Sequence, residues 1–225
     1  MYLVSLIWLK KERSIVMPTR VLLMRHAQTD RPDVFHGFES DAGLSELGYR
    51  QAAAIAPVIA AIEPDAIWSS GMRRARLTAE PIAAACGLLL QIEPELHERK
   101  VGILVGTPNS AEVGIWPPTL KEWKEGHTAS AHPGAESFDA IRERVLPAWR
   151  RIVEKFDGKT VVIVAHGIVI RVLLLSLLEG YTVADWDRLG RIQNVSISEI
   201  TGSGASWKPL RIGETMPEIE ALAKH

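Results

Sequence analysis

Val21-Leu22-Leu23-Met24-Arg25-His26-Ala27 and Val161-Val162-Ile163-Val164-Ala165-His166-Gly167 decide how this chain folds. Each is an unbroken apolar run that gives way to a histidine, with Arg25 interposed in the first. A short continuous apolar run is what a strand covered on both faces requires, because neither side of it meets water. Further short runs follow at 65–69, 88–92 and 195–200, and longer stretches with helical spacing lie between them, at 45–62, 72–86, 137–156 and 168–178. Strands alternating with helices predict an α/β three-layer sandwich: a mostly parallel central sheet with helices on both faces. The segment 206–212 follows the turn Gly202-Ser203-Gly204, too short a link for a crossover, and is expected to return antiparallel.

The helical stretches carry their own signals. Ser45 is placed to cap the first. Pro57 and Pro147 should bend the first and third. In 137–156, Phe138, Ile141, Val145, Trp149, Ile152 and Phe156 recur at three- and four-residue steps, one stripe for the sheet. The stretch 168–178 is apolar nearly all round, as a buried helix would be. Residues 106–134 are rich in proline and tryptophan, with one short helix expected near 120–125, and read as a lid or binding loop.

The 225 residues fit one large domain, expected to span 18–225, with 1–17 an extension outside the core. The apolar run Tyr2–Leu9 is short, and its basic residues follow it instead of preceding it, so it does not read as a signal peptide. No run is long enough to span a bilayer. A net charge of −1 without a long basic run does not suggest nucleic-acid binding. The single cysteine, Cys86, excludes an internal disulfide and fits a reducing, cytoplasmic setting. The edge strand near Ser206 offers a surface on which two copies could pair.

In an open parallel sheet, ligands bind beyond the carboxyl ends of the strands. Three expected strands end in polar sequence there: Arg25-His26-Ala27-Gln28-Thr29, Ser69-Ser70-Gly71-Met72-Arg73-Arg74 and His166-Gly167. If the three are neighbours, Arg25, His26, Arg74 and His166 meet in one pocket. Arginines can grip a phosphoryl group by paired hydrogen bonds, and the helix N-termini that follow favour an anion. Nearby cations keep an imidazole neutral, as a nucleophile must be. The pattern predicts phosphoryl transfer through a histidine.

These segments match a family. Leu23-Met24-Arg25-His26-Ala27-Gln28-Thr29 resembles the Arg-His-Gly signature of the histidine phosphatase superfamily, in its phosphoglycerate mutase-like branch 1. Further matches follow in the family's order: 44–52, 69–79, Leu96-His97-Glu98-Arg99-Lys100-Val101-Gly102, Pro133-Gly134-Ala135-Glu136-Ser137-Phe138 and 164–171. The resemblance implies a metal-independent phosphatase with no cofactor, acting on a small phosphorylated substrate. It makes His26 the nucleophile, Arg25 and Arg74 the phosphoryl clamp, His166 a donor to the transferring group, and Glu98 the acid and then base. Gln28, Thr29 and Gly167 would complete the substrate pocket. Family register alone selects Arg74 over Arg73 and Arg76, and Glu98 over Glu93 and Glu95.

Ala27 stands where the family has glycine, which requires that this residue avoid a positive φ. Pro32, His36 and Val105 also depart from the pattern, and they bear on which substrate fits. His36, His97, His127 and His132 are expected on the surface or in loops, with His36 able to reach the pocket. Trp116 and Trp123 are expected to pack the lid. Lys121 and Lys124, without an arginine pair, occupy the region where mutases of the family carry arginines, which favours hydrolysis. A mutase-like phosphotransferase and a non-catalytic phosphate-binding module are the alternatives.

Overall fold

The computed structural model describes residues 17–109 and 115–222. The expectation for the N-terminal extension therefore lies, apart from Met17, outside the described residues. Six strands form one sheet: β1 (Thr19–Arg25), β2 (Ala66–Ser69), β3 (Leu90–Ile92), β4 (Thr160–Ala165), β5 (Ile197–Ser203) and β6 (Ser206–Glu214), in the order β3-β2-β4-β1-β5-β6. The first four are mutually parallel. The three-layer α/β expectation is met.

Period-2 alternation on the two central strands divides the core. Val21, Leu23, Val161 and Ile163 face one layer, packed with α4 (Phe138–Lys155) and α5 (Gly167–Leu177). Leu22, Met24, Val162 and Val164 face the other, against α1 (Glu46–Ala60) and α2 (Arg73–Cys86). All eight side chains are fully buried. Truncating one such leucine to alanine would cost about 2–5 kcal/mol. The α4 stripe is the expected one, with Phe138, Ile141, Val145, Trp149 and Ile152 buried. Ser45 caps α1 by accepting from the Gly48 amide at 3.0 Å. Pro57 and Pro147 lie inside single uninterrupted helices.

Two expectations need correction. The strand expected at 195–200 begins only at Ile197, because Val195 sits at φ 59°, a left-handed conformation no strand can include. It also runs antiparallel to β1, not parallel within the sheet. After α5 the chain returns through a 3-10 run, Val183–Leu189, which buries Trp186 and Leu189 against the α5 layer. It thus re-enters at the carboxyl edge, so β5 must run the other way. The short lid helix α3 spans Trp116–Lys124, starting four residues earlier than expected. Pro117 and Pro118 fall in its first turn, where their missing N–H groups need no partner.

Candidate active site

The register of the two central strands builds the site. Arg25 is paired with Ala165 across β1 and β4, so His26 and His166 leave the same edge at the same level. Their ring centroids lie 5.2 Å apart. On the far side of β4, Ser69 is level with Val164, and Ser70 then reaches His166 with its Oγ 2.6 Å from Nε2. On the far side of β1, the loop entering β5 arrives. Its Asn194 amide donates to the His26 carbonyl at 2.9 Å, held there by the left-handed Val195, whose N–H donates to the Arg25 carbonyl.

His26 is nearly buried, at 5% exposure. Its Nδ1 lies 2.7 Å from the Ala27 carbonyl, which can only accept, so Nδ1 carries the proton and Nε2 keeps its lone pair. Ala27 avoids positive φ, as its side chain demands, and its amide donates to Thr78 Oγ1. His166 is fully buried, and its Nδ1 has no partner. Both imidazoles are held well below the ordinary histidine value, first by burial; the Arg74 charge is the next cause for each, and Arg25 adds to it. Both are therefore neutral near pH 7.

Arg74 is 1% exposed, whereas Arg73 and Arg76 lie in solvent. Its terminal nitrogens donate to the Ser40 and Gly37 carbonyls, and Nε is buried without a partner. Burial brings its pKa down to about 10, partly offset by Glu98. Arg25 donates from Nη1 to the Ile192 carbonyl, and its Nε too is buried and unpartnered. These orphaned N–H groups are costly unless an anion takes them.

A cleft of about 570 Å³ opens over this edge, and Arg25, His26, Thr29, Glu98 and Gly167 line it. Arg74 and His166 do not form its wall; they are the more deeply buried pair behind it. Gln28 is turned away: its Oε1 accepts from Ser45 Oγ, and its backbone N–H donates to Gln51 Oε1, which fixes the start of α1. Of the three acidic candidates only Glu98 lines the cleft, while Glu93 pairs with Arg151. Glu98 accepts from the Arg99 amide at 2.8 Å and from the Ile168 amide, in the first turn of α5, at 3.4 Å.

The loop bearing Glu98 is braced from below. Glu136 accepts from the Lys100 amide and pairs with Arg144. Gly102, at φ 51°, lies so close to Pro133 that a Cβ there would stand 2.2 Å from its carbonyl oxygen.

A second cavity of similar volume lies at the amino end of the sheet, lined by Thr19, Trp149 and Trp207, and holds none of the predicted site residues. Among the described residues, no group of three or more His, Cys, Asp or Glu is placed to hold a metal ion, and no helix is long and apolar enough to cross a membrane. His36 lines the cleft, as allowed for. His132 lies in a loop, as expected, but is buried there and bonded to the Val101 carbonyl. Trp123 packs the lid against Trp116, Trp186 and Phe138.

Sequence reasoning gave no role to Ser70, Asn194, Arg99 or Arg191, all of which serve or line the site. Ser70 carried one signal, a pair of serines at a strand's carboxyl end. Asn194 and Arg191 carried none, because only the reversed direction of β5 brings them here.

Comparison with known proteins bears on this geometry. The sequence model of the histidine phosphatase superfamily (branch 1) matches residues 21–215. Glucosyl-3-phosphoglycerate phosphatase of Mycobacterium tuberculosis is 33% identical over 201 residues, covering 84% of this chain and 87% of that protein. A metal-independent phosphoserine phosphatase of Arabidopsis thaliana is 31% identical over 202 residues, covering 84% and 79%. The native structure of the mycobacterial glucosyl-3-phosphoglycerate phosphatase aligns with a TM-score of 0.77 at 29% identity, over 88% of this chain and 100% of that one. A histidine pair on one sheet edge, arginines with open N–H groups beside it, and a family match across nearly the whole described chain agree: this protein belongs to branch 1 of the histidine phosphatase superfamily and is a phosphoric monoester hydrolase.

Proposed function

We propose that the protein hydrolyses a small phosphomonoester in two steps, through a phosphohistidine on His26 and without a metal ion. The observation that carries this reading is the fixed tautomer of His26, whose Nδ1 proton is committed to the Ala27 carbonyl. Nε2 is then the nucleophile. It attacks phosphorus, the bond to the leaving oxygen breaks, and Glu98 supplies that oxygen's proton. Water then attacks the phosphohistidine, Glu98 takes a proton from it, and the P–N bond breaks to release inorganic phosphate.

Arg25 and Arg74 bind the phosphoryl oxygens in this scheme. At an effective dielectric of 20, a unit-charge pair at 4 Å is worth about 4 kcal/mol. His166, neutral in the empty site, becomes easier to protonate when a phosphoryl dianion settles beside it, and donates to it from Nδ1. Both relatives named above are phosphatases by name. Lys121 and Lys124 support hydrolysis over mutase chemistry, since they pair with Glu125 and Asp187 and neither lines the cleft.

The test is turnover of p-nitrophenyl phosphate with EDTA present, together with trapping of acid-labile phosphate on the protein. His26→Ala should abolish both. Turnover that survives this substitution, or that EDTA removes, refutes the proposal. Isomerisation of 3-phosphoglycerate without release of phosphate would favour the mutase instead.

A further inference from the structure

The cleft holds more positive charge than one phosphoryl group can use. Among the described residues, four arginines line it, Arg25, Arg99, Arg171 and Arg191, against one carboxylate, Glu98. Buried Arg74 adds a fifth cation behind the wall. Two of the five are assigned above to the phosphoryl group. Arg171 is occupied, donating to the Trp186 and Gly190 carbonyls. Among the described residues, the side chains of Arg99 and Arg191 donate to no such partner.

Arg99 is 2% exposed, yet among the described residues it forms no ion pair, and its Nη1 is buried without a hydrogen-bond partner. A buried guanidinium left in this state is unfavourable, and burial is what lowers its pKa to about 10. It is nevertheless held in place: its Cζ lies 3.9 Å from the centroid of the Trp116 ring, at the start of lid helix α3. Stacking fixes the plane of the fork while leaving its edge free to donate. Arg191 sits exposed at the mouth of the same cleft, with no ion pair among the described residues, close enough to Arg25 to depress its pKa.

We propose that Arg99 and Arg191 form an anion subsite that binds a carboxylate on the alcohol portion of the substrate, so that the enzyme selects phosphomonoesters bearing a second negative group. This rests on the phosphatase reading, which assigns the inner end of the cleft to the phosphoryl group. A carboxylate has the planar, two-oxygen edge that matches a guanidinium fork. Trp116 is a positioning residue, since its ring holds the Arg99 guanidinium in the cleft wall.

The test compares 3-phosphoglycerate with glycerol 3-phosphate, which differ in the carboxylate. On the parent enzyme, kcat/KM should favour 3-phosphoglycerate by at least about tenfold, the order expected of one good charged hydrogen-bonded contact. Arg191→Gln and Arg99→Gln should each bring that ratio toward one. Arg150→Gln, the same loss of charge on an exposed helix position away from the cleft, should leave the ratio intact. Because Arg99 is buried, Arg191→Gln keeps the proposal testable if Arg99→Gln does not fold.

The same pair of ligands is titrated calorimetrically into His26→Ala protein, where turnover plays no part. A tenfold tighter binding of 3-phosphoglycerate, abolished by adding Arg191→Gln, supports the subsite even if the parent enzyme hydrolyses neither compound, because the phosphatase reading is decided separately by turnover of p-nitrophenyl phosphate. Equal binding of the two ligands, or a preference that Arg191→Gln and Arg150→Gln reduce alike, overturns the subsite and leaves the phosphatase reading standing.

Discussion

Replacing Ser70 by alanine tests whether one buried hydroxyl holds His166 in its working orientation. The Ser70 side chain is fully buried, its Oγ 2.6 Å from His166 Nε2 and 3.3 Å from the Met72 amide that donates to it. The substitution deletes a hydrogen bond worth about 1 kcal/mol net and strands a buried ring nitrogen, which adds about 1–3 kcal/mol. A loss of about 3 kcal/mol lowers the Tm of a domain this size by roughly 6–12 °C. The catalytic consequence is separate. His166 has no other side-chain bond, since Nδ1 is unpartnered, so without the hydroxyl nothing but packing sets the ring's angle. A displaced catalytic group costs about 10²-fold in rate, and kcat/KM for an alkyl phosphate should fall by that factor.

The control is Ser69→Ala, which removes an equally buried hydroxyl whose bond goes to the Ser70 carbonyl and not to an imidazole. Circular dichroism melts and steady-state kinetics on both variants supply the comparison. Ser69→Ala should lose stability and keep kcat/KM. If Ser70→Ala loses stability in the same way and keeps kcat/KM within about twofold, the hydroxyl is only a packing element and the argument fails.

Glu98→Gln should slow hydrolysis of an alkyl phosphate by about 10²–10⁴-fold, the usual share of a general acid. With p-nitrophenyl phosphate, whose leaving group needs no proton, the first step should survive as a burst of p-nitrophenolate with accumulation of acid-labile phosphoenzyme; absence of a burst would remove Glu98 from its assigned place. Stability should also respond to pH. His26 and His166 titrate well below 6.5 when folded and near 6.5 when unfolded, so their contribution is fully present above pH 6.5. As pH falls below that value the unfolded chain takes up protons the folded one refuses, and stability drops by up to about 1.4 kcal/mol per pH unit for each histidine. Urea unfolding between pH 6.5 and 5.5 should therefore show a shallower loss in His166→Gln, and an unaltered slope would mean that His166 is not buried neutral.

Local chemistry made much of this protein legible before its tertiary structure was known. The β4 run 160–165 was bounded correctly because a lysine precedes it and His166-Gly167 ends it, and the stripe on α4 was readable because helical spacing survives in sequence whatever the helix packs on. Ser45 and Ser137 are caps that satisfy amides three residues away, a relation the chain order already contains. The start of α3 and the start of β5 were misplaced for equally local reasons, proline tolerance in a first turn and a left-handed valine, which compete with apolar patterning and won.

The residues of the site divide along the same line. Arg25, His26 and His166 could be named from sequence because strand ends on a parallel sheet share an edge, whichever strands are neighbours. Residue patterns without the family resemblance do not decide which of three arginines and which of three glutamates turn inward. Burial separates the arginines, with Arg74 at 1% exposure between solvated Arg73 and Arg76, and position separates the glutamates, with Glu98 in the cleft wall while the equally buried Glu93 pairs with Arg151. Arg99, Arg191, Ser70 and Asn194 depend on distances between segments about 90 to 170 residues apart, which arise only when the sheet closes.

The sequence by itself determined the layers and the edge where chemistry would occur, since apolar periodicity and strand termini are properties of neighbouring residues. Only the tertiary structure decided the reversed entry of β5 and the gathering of four arginines around one cleft. The entry of β5, and with it Arg191, follows from how the chain returns after α5, a long-range choice fixed by burying Trp186 and Leu189, and no short stretch of sequence encodes the balance of charge that results.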